Sequence, residues 1–92
     1  MNEVWIFMGD GPHPSGVFST RPLAEEWITR HGLDGTLTKY PLDVGIYEWA
    51  LASGTFKPRR PDQSGAKFVG RFSSANLEHY HYEQGRCPND PL

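Results

Sequence analysis

Cysteine is nearly absent: Cys87 is the only one in 92 residues. That excludes an intramolecular disulfide and any zinc motif built on several thiolates. Long apolar runs are missing too. The N-terminal stretch MNEVWIFMGDG has no basic start, and its apolar run is far too short for a signal peptide or a membrane span. A basic excess is also lacking, because the net charge is −2 and the pI is near 6.0. General nucleic-acid binding, which calls for a basic face or stripe, is therefore disfavoured. No internal repeat or heptad pattern occurs. A non-membrane, reducing, cytoplasmic setting is the simplest expectation.

Aromatic residues, by contrast, are plentiful: three Trp, five Phe and four Tyr make up 13% of the chain. Each one buried removes roughly 150–250 Å² from water, enough for a few to found a compact core. A chain of this length forms one domain and leaves little room for a deep cavity beside that core. The expected domain spans residues 1–85, followed by a mobile tail from Arg86 to Leu92 whose turn formers outnumber its apolar residues.

Val4 to Gly9 is dense in β-branched and aromatic residues and reads as a strand. DGPHPSG, with two Pro and two Gly, must be a loop, and Val17 to Ser19 resumes as a hairpin partner. Thr20 caps a helix that has Pro22 in its first turn and Arg30, His31 and then Gly32 at its end. Leu23, Ala24, Trp27 and Ile28 form its apolar stripe. Gly35 to Pro41 alternates as a strand. Asp43 can then cap a second helix, Val44 to Ala52, with Ile46, Tyr47, Ala50 and Leu51 turned to the core. Thr55 to Ala66 is a polar, proline-containing loop. Lys67 to Ser73 reads as a strand with Phe68 and Phe72 on one face, and Leu77 to Gln84 as the last strand. The order β-β-α-β-α-β-β implies an α+β two-layer sandwich, a mainly antiparallel sheet with both helices on one side.

Several of these stretches are distinctive in combination. VWIFMGDG, PSGVFST, AEEWI, GTLTKYPLDVGIYEWA, FKP and FSSANLEHYHYEQG together resemble a family of small, uncharacterised bacterial proteins, over residues 3–85. The resemblance implies a stand-alone bacterial domain and brings no catalytic residues with it. In architecture alone the chain is similar to immunity proteins, which neutralise bacterial toxins by binding them.

Candidate chemistry begins at EHYHYEQGR. On a strand, His79, His81 and Glu83 share one face, and Glu78, Tyr80, Tyr82 and Gln84 the other. Two imidazoles at i,i+2 can chelate a divalent metal, the only cofactor the residues suggest, with His13, Asp10 or Glu83 as further ligands if the fold gathers them. The plainer reading is a solvent-facing strand with half-buried tyrosines. General acid–base work by His79 or His81, in a hydrolase or nuclease, needs a pocket and a positioned partner. GDGPHPSG lacks a phosphate-loop pattern, and its prolines remove N–H donors. Gly45-Ile46-Tyr47 has only the first half of a nuclease signature and sits in an expected helix. The cluster Lys57, Arg59, Arg60 is a solvated loop or a docking patch for an acidic partner. Trp49, off the apolar lines of its helix, is a candidate binding hot spot.

These observations point to a non-catalytic protein-binding domain, with Trp49, Lys57, Arg59, Arg60, His79, His81 and Glu83 as its contact candidates. A His- or metal-dependent hydrolase is the rival, and a homo-oligomer a third class.

Overall fold

Glu3–Met8 (β1) places Trp5 and Phe7 on one face by simple alternation, and both are buried. The computed structural model describes residues 2–88. Across the loop that follows, the Ser15 N–H donates to the Phe7 carbonyl, and Gly16–Phe18 (β2) returns antiparallel to β1. Gly35–Pro41 (β3) pairs with the other side of β1, and His79–Tyr82 (β4) pairs with β3. The result is a four-stranded antiparallel sheet in the order β2-β1-β3-β4, and with its helices the protein is of the α+β class.

Arg21–His31 (α1) is specified at both ends by local chemistry. The Thr20 hydroxyl accepts from the Leu23 N–H, and Pro22 occupies the first turn, where no intrahelical donor is needed. At the other end Gly32 is left-handed (φ 62°), so that its N–H meets the Thr29 carbonyl while Leu33 N–H reaches the Ile28 carbonyl. Ala24 and Ile28 are fully buried against Trp5, Phe7, Leu37 and Tyr82, with Phe18, Trp27, Leu33, Tyr80 and Cys87 packed around them. Leu37, the central residue of that layer, contributes about 1.5–3 kcal/mol by its burial. Leu23 does not join the stripe: it is 52% exposed, whereas Ala24, Trp27 and Ile28 pack on the sheet.

By internal contacts the chain divides into two units. The first comprises the described residues of Met1–Leu42 and Leu77–Leu92, and the second is Asp43–Asn76. Ile46–Ser53 (α2) opens the second unit. Its cap is Gly45, whereas Asp43 adopts a left-handed conformation (φ 63°) and does not cap it. A short 3₁₀ turn, Pro61–Ser64, lies in the polar loop, and Ala66–Arg71 (α3) follows. The strand expected over Lys67 to Ser73 is thus a helix. Phe68 and Phe72, one helical turn apart, join Tyr47 and Phe56 in a ring cluster with centroid separations of 4.8–6.2 Å. Helical spacing serves that cluster better than alternation would. Leu51, expected inside, is 39% exposed, while Tyr47 and Ala50 are buried.

The final strand is shorter than its sequence pattern, ending at Tyr82. Glu83 and Arg86 then form a bridge around Gln84 (φ 50°) and Gly85 (φ 81°), two left-handed residues as a tight two-residue hairpin turn requires. This turn is tied to α1: Gly85 N–H donates to Leu33 O at 2.9 Å, and its carbonyl accepts from the Thr29 hydroxyl at 2.9 Å. Of the expected tail, Cys87 packs against the core, and residues 89–92 lie outside the described ones.

Candidate functional site

The strand register sorts the side chains of the first unit into two faces. Trp5, Phe7, Leu37, Tyr80 and Tyr82 point toward α1, and Val17, Ile6, Thr38 and His79 stand in one row on the opposite face. His81 stands on that same opposite face, across from Thr36.

His79 and His81 are exposed, and their rings lie 5.2 Å apart at 87°. Each is fixed through Nδ1. In His79 it lies 2.7 Å from the Leu77 carbonyl, which can only accept, so Nδ1 carries the proton and Nε2 the lone pair. In His81 it lies 3.2 Å from the Thr36 hydroxyl. Glu83, expected on the same face, leaves the strand and enters the turn. His13 lies elsewhere, in a cleft of about 750 Å³ with Asp10, Ser15, Trp27 and Asp34. Among the described residues no three His, Cys, Asp or Glu side chains gather closely enough to hold a metal ion.

On the helix-facing side runs a network that sequence reasoning missed. Lys39 Nζ meets Glu3 at 3.0 Å and Glu78 at 3.1 Å. Its ammonium is held above the ordinary lysine range by those two bonds, that to Glu3 first. Glu78 also accepts from the Tyr80 hydroxyl, which, ahead of Lys39, lowers its pKa. The Arg21 guanidinium lies 3.5 Å over the Tyr80 ring and pairs with Glu25 at 3.3 Å. Glu25 in turn accepts from the buried Tyr82 hydroxyl at 2.7 Å. Burial first, and then that bond, push the Tyr82 pKa far above its usual 10.0. Tyr82 is therefore a fixed donor rather than an acid–base group. The sequence signal for this network was the shared face of Glu78, Tyr80 and Tyr82. Its partners on β1, β3 and α1 follow only from register.

Beside Tyr82 is an open cleft of about 910 Å³, lined by Glu25, Thr29, Asp34, Gly85 and Cys87 among others. Neither this cleft nor that of His13 includes His79 or His81 in its lining.

The second unit presents the basic loop. Lys57, Arg59 and Arg60 are all exposed. The Arg59 N–H donates to the Gln63 side chain at 2.7 Å, and the Gln63 backbone carbonyl accepts from the Tyr47 hydroxyl at 2.8 Å. The loop is thereby pinned to the aromatic cluster while its cations point outward. Arg60 pairs with Asp62 at 3.3 Å. Trp49 is half-buried, near in sequence to the exposed Leu51 and Val44.

The fold and these surfaces define a small α+β protein in which the described residues form a Lys39–Glu78–Tyr80 network, an exposed His79–His81 pair and an exposed basic loop. The chain belongs to the family described as a domain of unknown function (DUF7710), which matches over residues 4–88. No curated protein and no solved structure matches it. Among the described residues no helix is long and apolar enough to cross a membrane.

Proposed function

We propose that this protein is a non-catalytic, cytoplasmic binding domain that engages an acidic surface on another protein through its second unit. The observation that carries the proposal is the distribution of charge. Asp43–Asn76 holds five cations (Lys57, Arg59, Arg60, Lys67, Arg71) against three carboxylates (Asp43, Glu48, Asp62), within a chain of net charge −2. All five cations are exposed. Guanidinium forks suit carboxylates, and Arg and Trp, both present in this unit, are residue types enriched in binding hot spots. Immunity-type neutralisation of a toxin, in a bacterial cell, is the most concrete form of this function. His79, His81 and Glu83 are proposed as a further contact surface of the first unit. Binding is favoured over hydrolysis because the histidines stand on an exposed strand face, outside both clefts, where water would compete with any bound substrate.

The test is affinity capture with the wild type and with an Arg59→Glu/Arg60→Glu variant, at low and high salt. A specific protein partner held by the wild type, released by salt and lost in the variant is the expected result. Capture that is indifferent to both charge reversal and Trp49→Ala, or no specific partner at all, would overturn the proposal.

A further inference from the structure

The two histidines of β4 carry an inference independent of protein binding. Three features coincide there. His79 and His81 share the sheet face opposite α1, and both are exposed. Each Nδ1 is engaged by oxygen, the Leu77 carbonyl at 2.7 Å and the Thr36 hydroxyl at 3.2 Å; the carbonyl sets the Nδ1–H tautomer of His79, and the hydroxyl, able to accept as well as donate, lets His81 take the same tautomer and leave its Nε2 open to a metal. An imidazole that ligates a metal through one nitrogen characteristically gives its other N–H to an oxygen acceptor, which fixes tautomer and ring orientation. Finally, the ring centres are 5.2 Å apart. Two imidazoles on one tetrahedral ion, at metal–nitrogen distances of about 2.0–2.1 Å, have centres about 5 Å apart.

We infer that His79 and His81 form a two-nitrogen chelate, through Nε2, for a borderline divalent cation of the zinc class. Neutral imidazole selects such ions over magnesium or calcium, which prefer carboxylate and carbonyl oxygen. Among the described residues no third His, Cys, Asp or Glu completes a set of three. Water therefore fills the remaining positions, and the ion is exchangeable rather than structural. Thr36 acts as a positioning residue, holding the His81 ring by its Nδ1.

The test is titration of the tag-free full chain with zinc chloride, followed by calorimetry and by the imidazole proton resonances, with magnesium chloride as a control. Saturable binding of zinc and not magnesium is expected, with the His79 and His81 resonances moving together and those of His13 and His31 unmoved. His79→Ala and His81→Ala should each abolish it, and Thr36→Val should weaken it about tenfold, as loss of an orienting partner does. His79 and His81 are exposed and Thr36 is part-buried; an unchanged circular dichroism spectrum checks that each variant folds. No saturable zinc binding would overturn the inference. So would zinc binding that survives both histidine substitutions, or that is lost instead in Cys87→Ser.

Discussion

Replacing Gly85 by alanine should destabilise the first unit strongly, and the structure allows the cost to be divided. Gly85 has φ 81°, a conformation in which an L side chain costs about 1–2 kcal/mol. A Cβ there would also stand 3.0–3.1 Å from Thr29 Cα, Gly32 Cα and the Ile28 carbonyl oxygen, all backbone atoms of the α1 terminus that cannot rotate away. Crowding of this kind adds about 1–3 kcal/mol. The total of about 2–5 kcal/mol is a large part of the roughly 5–14 kcal/mol that a chain of this length commands. Gly32 supplies the control. It is left-handed as well, at φ 62°, but a Cβ on it would meet nothing within 4 Å. Gly32→Ala should therefore cost only the conformational part. Urea denaturation of the two variants, monitored by tryptophan fluorescence and compared at equal m-value, isolates the packing contribution. If Gly85→Ala proves no more destabilising than Gly32→Ala, the turn is not docked on α1 as described.

Three other substitutions probe separate parts of the molecule. Tyr82 keeps its proton above the usual 10.0, so it stabilises the fold fully below that pH and less as pH rises beyond it; Tyr82→Phe should flatten this alkaline loss, read as the urea midpoint followed against pH. Glu78 has a lowered pKa, so its contribution is present above about 4.5 and fades as pH falls through the folded value; Glu78→Gln should lessen the acid sensitivity of the urea midpoint, modestly, because both Glu78 and Lys39 are part-exposed. Tyr47→Phe removes the hydroxyl that holds the Gln63 carbonyl and should cost about 1 kcal/mol, read as faster tryptic cleavage of the Arg59–Arg60 bond, the Lys57 and Arg60 bonds being blocked by the prolines that follow them.

What could be read from the sequence follows the range of the interactions involved. The first helix was legible to the residue, because Thr20, Pro22 and Gly32 act through bonds to their own neighbours. The first three strands were legible as elements for the same reason: alternation and the turn residues that bound them are local. Residues 66–71 were not legible, because Phe68 and Phe72 stand four apart, a spacing that suits a helix turn and strand alternation alike. The deciding partner was Tyr47, some twenty residues upstream. Likewise the common face of His79 and His81 was visible in HYHY, while the Thr36 hydroxyl that fixes His81, 45 residues away, was not. Gly85 looked like the end of the last strand and is a docking point, since the contacts that demand glycine come from α1.

The strand order also bears on how the chain comes off the ribosome. Strands β1, β2 and β3 pair with near neighbours in sequence, but β4 reaches β3 only after Asp43–Asn76 has been made. Until then β3 is a sheet border, its outer N–H and C=O groups open to any extended chain nearby. Closing the intervening segment costs about 3 kcal/mol in chain entropy, which the β3–β4 ladder and the burial of Tyr82 must outweigh. A nascent or truncated chain stopping before Leu77 would thus carry an unfinished hydrophobic layer beside an unpaired border, the state most prone to strand exchange between copies. Emergence of His79–Tyr82, rather than folding of the early strands, is the step that closes this border.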